Sequence, residues 1–130
     1  MFEDVEFMFS YTRAQALGDG VLVDVSKIAQ EAGFGVPVAI TDHLASRLTP
    51  HEYEKSQGQS YEGRLWDVLW LGMFNARKNP KASQVRYEVI LAEQVEDRRE
   101  MEQNTLRLNM VIGPGDQGEP IMTIGFPEDF

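Results

Sequence analysis

Residues 61–78 read YEGRLWDVLWLGMFNARK, and this stretch decides the fold. Its large apolar residues recur every three to four positions, which is the spacing of a helix that buries one side. The side chains predicted to line that side are Leu65, Trp66, Leu69, Trp70, Met73 and Phe74. At about 100° per residue they cover roughly half of the helix circumference. The sequence therefore predicts a central helix in the core, with both tryptophans of the chain buried.

The two ends of this helix are also marked. Ser60 can accept a hydrogen bond from a free backbone N–H of the first turn, as capping residues do. Asn79 and Pro80 end the pattern, because proline does not continue a helix. Val68 and Leu71 fall on the other half of the helix, so we expect it to be covered on most sides.

Short elements precede the central helix. Three segments rich in β-branched or aromatic residues are predicted as strands, namely residues 5–9, 21–25 and 36–40. Pro37, near the start of the third segment, indicates a sheet edge. Thr12 and Gln15 form a capping box for a short helix. Residues 26–32 are predicted to form a second short helix. Thr41 or Asp42 can cap a third helix.

Three longer strands follow the central helix. Residues 84–93 alternate, with Val85, Tyr87, Val89 and Leu91 on one side. The other two strands are predicted at residues 105–112 and 121–126. The predicted fold is therefore α+β, with an antiparallel sheet that contains a C-terminal three-strand meander, packed on the central amphipathic helix, with short N-terminal helices.

The length and composition limit the class of protein. The chain has 130 residues, so we predict a single domain over residues 1–130, large enough for a core of its own. It has no cysteine, which excludes thiol nucleophiles and disulfides. Residues 1–13 include acids where a secretory signal needs a basic start, and no apolar run approaches the ~18 residues of a membrane span. We expect a cytoplasmic protein without membrane association.

The charge argues against direct binding of nucleic acid. The formal net charge is −9, with 21 acidic and 12 basic residues, so the chain as a whole repels a phosphate backbone. Basic residues are concentrated between Arg64 and Arg86. Arg77 and Lys78 favour the negative C-terminal end of the central helix, which explains part of that concentration.

Known catalytic and binding motifs do not fit. Gly113, Gly115 and Gly118 match the GxGxxG spacing of dinucleotide-binding loops, but a strand follows where that motif requires a helix, so a hairpin turn is predicted. His43 and His51 are eight residues apart, which matches no standard zinc arrangement. We predict no catalytic residue, no metal site and no cofactor.

One polar cluster is less ordinary. Tyr11, Arg13, Asp19 and Asp24 surround a tight Gly-Asp-Gly turn between a helix and a strand, and we name them the turn cluster. An aromatic side chain and a guanidinium are typical of binding sites, so these four are the candidate binding residues. In the structural alternative, Arg13 and Asp24 form an internal ion pair that orients the turn.

Four blocks of sequence point to a family. They are SYTRAQALGDGVLVDVS at residues 10–26, EAGFGVPVAIT at residues 31–41, RLWDVLW at residues 64–70 and GPGDQGEPIMTIGFPED at residues 113–129. In this order the chain resembles a family of small uncharacterised proteins, a domain of unknown function, carried by plasmids, integrative elements and phages. The resemblance implies an accessory protein of a mobile element and implies no catalytic residue.

These observations lead to one functional prediction and two alternatives. We predict a non-enzymatic accessory protein of a mobile genetic element that binds a protein partner. The first alternative is an acidic DNA mimic that inhibits a host defence nuclease, because an acidic surface can occupy a basic nucleic-acid groove. The second is a small enzyme of unknown reaction that uses the turn cluster.

Overall fold

The computed structural model describes residues 12–130, so the predicted strand at residues 5–9 lies outside the described residues. The helices are α1 (Arg13–Gly18), α2 (Ser26–Glu31), α3 (Asp42–Leu48), α4 (Glu52–Ser56) and α5 (Tyr61–Lys78). The strands are β1 (Leu22–Asp24), β2 (Val38–Thr41), β3 (Gln84–Gln94), β4 (Met101–Pro114) and β5 (Pro120–Gly125). A short 3-10 helix, Pro127–Asp129, follows β5.

The strands form one sheet in the order β1-β2-β5-β4-β3. Strands β3, β4 and β5 pair antiparallel in chain order, and so do β1 and β2. Strands β2 and β5 pair in parallel, with Val38 beside Met122 and Ile40 beside Ile124. The α+β class is confirmed, but the prediction of an antiparallel sheet is wrong because the sheet is mixed. Three helices and two strands separate β2 from β5, a connection long enough for a parallel pair.

Pro37 does not mark a sheet edge, contrary to the prediction. Strand β2 lies between β1 and β5. Pro37 precedes the first residue of the strand, where a missing N–H costs no hydrogen bond of the ladder. Its carbonyl accepts a hydrogen bond from the N–H of Met122 at 2.9 Å.

The core lies between α5 and one face of the sheet. The predicted alternation of β3 is confirmed, because Val85, Tyr87, Val89 and Leu91 are all buried. The other strands add buried side chains, including Leu106, Leu108, Met110, Met122, Ile124, Val38 and Ile40. Gly72 allows α5 to approach β3 closely, since a Cβ at this position would lie 2.9 Å from Tyr87 Oη. That hydroxyl donates a hydrogen bond to the carbonyl of Val68 at 2.8 Å.

The predicted orientation of α5 is wrong. Leu65 and Leu69 are buried as expected, but Trp66 is 37%, Trp70 52% and Phe74 51% exposed. The core side of the helix consists instead of Arg64, Leu65, Val68, Leu69 and Gly72. The helix is therefore rotated about its axis so that Gly72 faces the sheet and the tryptophans do not. Gly72 fits against the buried ring of Tyr87, where a tryptophan side chain would not fit.

A buried ion pair explains how Arg64 is accommodated in the core. Its guanidinium Nη2 lies 3.4 Å from Glu54 Oε1 and donates to the carbonyl of Ala92 at 2.6 Å. Both carboxylate oxygens of Glu54 also accept backbone N–H groups, from His51 at 2.8 Å and from Gln94 at 2.7 Å. The pair thus joins α4, α5 and β3, and its polar atoms are satisfied.

Candidate functional site

Arg13 of the turn cluster is held against the sheet. Its guanidinium donates hydrogen bonds to Thr123 Oγ1 at 2.8 Å and to the Met122 carbonyl at 2.9 Å. Asp116 accepts hydrogen bonds from the backbone N–H groups of Arg13 at 2.8 Å and Ala14 at 3.0 Å, so it caps α1 from the β4–β5 turn. The side-chain hydrogen bonds of Arg13 therefore connect α1 to β5.

The two aspartates of the turn cluster lie near the ends of different helices. Tyr11 lies outside the described residues. Asp24 Oδ1 accepts hydrogen bonds from Ser26 N at 3.0 Å and Ser26 Oγ at 2.6 Å, at the start of α2. Asp24 is not in ion-pair contact with Arg13. Burial lowers the pKa of the Arg13 guanidinium, and the charge of Asp24 partly opposes that shift. Asp19 ends α1, where its N–H donates to backbone carbonyls. The structural alternative is therefore wrong about the partner of Arg13, because Thr123 and Met122 hold its guanidinium and Asp24 does not.

Three exposed aromatic side chains lie on one side of α5. Trp66, Trp70 and Phe74 are spaced i, i+4 and i+8, so they lie on one side of the helix. The two indole rings stack, with centroids 6.5 Å apart and an interplanar angle of 8°. The Lys78 ammonium lies 4.4 Å from the centroid of the Phe74 ring. We call Trp66, Trp70 and Phe74 the aromatic face.

Sequence reasoning assigned the aromatic face to the core, although a second pattern was present. Leu65, Val68, Leu69 and Gly72 are also spaced for one helix side, at i, i+3, i+4 and i+7. The glycine was the available signal, because it marks a position of close approach inside a helix. Large size and hydrophobicity favoured the tryptophans instead, and so the functional candidate was missed.

Opposite charges lie at the two ends of the aromatic face. Glu62 is exposed in the first turn of α5, and Lys78 is exposed in the last turn. Among residues 12–130, neither side chain forms an ion pair within the chain. The exposed acids of α5, Glu62 and Asp67, thus lie in its first half, and its exposed bases, Arg77 and Lys78, lie in its last turn.

A groove adjoins the start of α5. It has a volume of about 450 Å³ and lies between this helix and the β1–α2 segment. Its lining includes the apolar side chains of Val23, Ile28, Tyr61 and Leu65, and the charged side chains of Asp24 and Glu62. Glu62 thus belongs both to the groove and to the border of the aromatic face, and Asp24 of the turn cluster also lines the groove.

A second cavity, of about 480 Å³, is bordered by His43 and Asp129. His43 Nδ1 lies 2.6 Å from Asp129 Oδ1, while 70% of the histidine and 5% of the aspartate side chain are exposed. Asp129 Oδ2 accepts hydrogen bonds from Thr41 Oγ1 at 2.7 Å and Phe126 N at 2.9 Å. Burial raises the pKa of Asp129, but these hydrogen bonds outweigh it and lower the pKa. The hydrogen bond to Asp129 raises the pKa of His43.

An oriented imidazole is one part of an acid–base site. Thr41, a hydroxyl residue of this cavity, already donates its hydrogen bond to Asp129. In the described residues, no group of three histidine, aspartate or glutamate side chains is arranged to hold a metal ion.

No helix of the described part is long and apolar enough to span a membrane.

The acids of the β3–β4 hairpin do not form an unbroken row. Glu93 is bound by Arg47 through two hydrogen bonds of 2.7 and 2.8 Å and by Asn104 Nδ2 at 2.9 Å. Glu96, Asp97 and Glu100 are exposed, but Arg98 lies among them, 3.8 Å from Glu100. Arg99 lies near the ring of Tyr53, at 5.8 Å from its centroid.

Comparison with family models places the chain. A model described as a family of unknown function, DUF6573, matches residues 1–130. This chain belongs to the DUF6573 family. No curated protein and no solved structure matches it. The family assignment agrees with the resemblance of the four sequence blocks to a domain of unknown function.

Proposed function

We propose that this protein is a non-enzymatic protein-binding module and that the aromatic face of α5 is its docking surface. One observation carries the proposal: three large aromatic side chains stand exposed in a row on a helix whose other side is buried. Tryptophan is enriched among the residues that dominate binding energy in protein interfaces. Contiguous exposed apolar surface of this kind marks interaction sites in monomeric proteins.

The aromatic face is suited to docking because it is rigid. Leu65, Val68 and Leu69 anchor the opposite side of α5 in the core. The stacking of Trp66 on Trp70 further limits the rotamers of both rings. A surface that is already ordered loses little conformational entropy on binding, which favours affinity. Anchors spaced by one helical turn fit a groove or another helix on the partner.

The setting of this activity is also a proposal. The four sequence blocks resemble proteins of plasmids, integrative elements and phages, and this supports an accessory protein of a mobile element. We place that role in the cytoplasm.

The alternative of a DNA mimic has less support than docking through α5. A mimic of a phosphate backbone needs a row of like charges. In the β3–β4 hairpin, Arg98 and Arg99 interrupt the acids, and Glu93 is neutralised by Arg47. The alternative of a small enzyme relied on the turn cluster, whose Arg13 is engaged in fastening α1 to β5.

Affinity capture with paired variants tests the proposal. The tagged protein, a Trp66→Ser/Trp70→Ser variant and an Ile90→Ser control are used to capture proteins from the host cell. Ile90 is 61% exposed on β3, so the control removes a comparably exposed apolar side chain away from α5. We expect the wild type and the control to retain the same partner and the tryptophan variant to lose it. Retention of the partner by a folded tryptophan variant would contradict the proposal.

A further inference from the structure

We propose that the protein that occupies the aromatic face is a second copy of this chain, in a symmetric dimer whose two α5 helices pack antiparallel. The inference rests on the proposed function, because it names a partner for the same surface.

The arrangement of the face is self-complementary. In a symmetric dimer each residue meets its counterpart across a two-fold axis, so one surface serves both copies. Rows of residues spaced by four are inclined by about 26° to the helix axis, so the two rows face each other when the helices cross at about 50°. With the two-fold axis at Trp70, residues equally far before and after this position then lie opposite each other. Trp66 of one copy then lies opposite Phe74 of the other, and the two Trp70 rings meet at the centre.

The charges select the antiparallel direction. The same axis places Glu62 opposite Lys78 of the second copy, and it does so twice in the dimer. Neither residue has an ion-pair partner within the described part of its own chain. A parallel arrangement would instead place Glu62 beside Glu62 and Lys78 beside Lys78, which is repulsive. Charge complementarity thus favours antiparallel over parallel packing of two copies.

The size of the surface sets the expected strength. An aromatic side chain buries about 150–250 Å² when fully covered, and those of the aromatic face are between 37% and 52% exposed. At these exposed fractions the six rings of two faces supply about 400–700 Å² in total, and the charged side chains at their borders are needed to approach about 1,000 Å², the lower limit of specific interfaces. We therefore expect a dimer that forms in the micromolar range and dissociates on dilution.

Charge exchange between copies tests the dimer. Sedimentation equilibrium of the purified full chain is measured from about 1 to 500 µM, a range that spans the expected dissociation. Wild type is compared with Glu62→Lys, with Lys78→Glu and with an equimolar mixture of the two. Each variant alone places like charges opposite each other twice and is expected to weaken dimerisation about tenfold. The mixture restores opposite charges at both contacts, so it is expected to dimerise about as strongly as the wild type.

The same experiment distinguishes the dimer from an explanation of the charges by the helix dipole alone. Glu62 and Lys78 also suit the dipole of their own helix, and both variants lose that contribution. The dipole cannot explain recovery in a mixture, because no chain in it regains its own charge pattern. A wild type that stays monomeric at every concentration overturns the dimer, and so does a mixture no stronger than the separate variants. If the monomeric protein still captures a partner through Trp66 and Trp70, the proposed function stands and only the dimer fails.

Discussion

Arg64 and Glu54 form an ion pair in the core, with Nη2 and Oε1 3.4 Å apart and only 3% of each side chain exposed. A buried pair of this kind is costly to break, because the remaining charge keeps its desolvation penalty and loses its partner. The pair also binds backbone groups of His51, which precedes α4, and of Gln94 and Ala92 in β3, so its loss affects the packing of α4, α5 and β3.

Removal of Arg64 is therefore expected to destabilise the fold strongly. Arg64→Ala should lower the free energy of unfolding by about 3–5 kcal/mol, measured by urea titration. Arg47→Ala breaks the more exposed pair with Glu93 and is the control, with an expected loss below about 1 kcal/mol. Equal losses for the two variants would show that the Arg64–Glu54 pair is not shielded from water.

The two sides of α5 should respond differently to truncation. Leu69 is fully buried, and Leu69→Ala is expected to cost about 2–5 kcal/mol through lost contacts and a cavity. Trp70→Ala removes a larger side chain that is 52% exposed, and its cost is expected to stay below about 1 kcal/mol. Denaturant titration at a protein concentration below the dimer range gives both values. A larger loss for Trp70→Ala would place this ring in the core.

The His43–Asp129 pair should make stability depend on pH. The pKa of Asp129 is lowered from 3.8, so its contribution is present above that value and is lost as pH falls through the folded pKa. The pKa of His43 is raised from 6.5 by Asp129, Asp42 and Glu128, so its contribution is present below 6.5 and is lost as pH rises through the folded pKa. The pair thus stabilises the fold most between about pH 4 and 6.5.

Urea midpoints at about pH 5.5 and pH 9 check this window. We expect His43→Ala to lower the midpoint at the acidic pH and to leave it nearly unchanged at the alkaline pH. In an Asp129→Asn background the effect of His43→Ala should be small at both values. A His43→Ala effect of equal size at both pH values would mean that the charge of His43 contributes nothing.

The acids of the β3–β4 hairpin are expected to be dispensable for binding. A Glu96→Gln/Asp97→Asn/Glu100→Gln variant keeps the backbone, since asparagine tolerates the positive φ of 57° at residue 97. Capture of the partner and self-association should both change by less than about twofold, as expected for charges away from the contact surface. Loss of capture, steeper at low salt than at high salt, would favour the DNA-mimic alternative.

Local signals predicted the elements well. Thr12 accepts the Gln15 N–H at 3.0 Å, and Thr41 caps α3, as their sequence context indicated. The alternation of β3 is determined by its own residues, and it too was predicted correctly. In each case the deciding contacts lie within a few residues of each other, or follow directly from side-chain alternation.

Contacts between distant segments could not be predicted in the same way. Asp116 caps a helix 103 residues earlier in the chain, and Asp129 orients a histidine 86 residues away. The rotation of α5 is another example, because two sides of the helix had a suitable apolar pattern and only the fit of Gly72 against Tyr87 selects one. The aromatic face was missed for this reason, since its exposure is a property of the packed fold.

Intrinsic fluorescence tests the central claim most directly, because Trp66 and Trp70 are the only tryptophans of the chain and both lie on the aromatic face. Acrylamide quenching and the emission maximum are measured on wild type from dilute to concentrated solution, with Ile90→Ser as the control. The account predicts quenchable emission at long wavelength in dilute solution, and protection with a shift to shorter wavelength as the surface is occupied. Tryptophans that stay protected at every dilution would contradict it, because they would belong to the core.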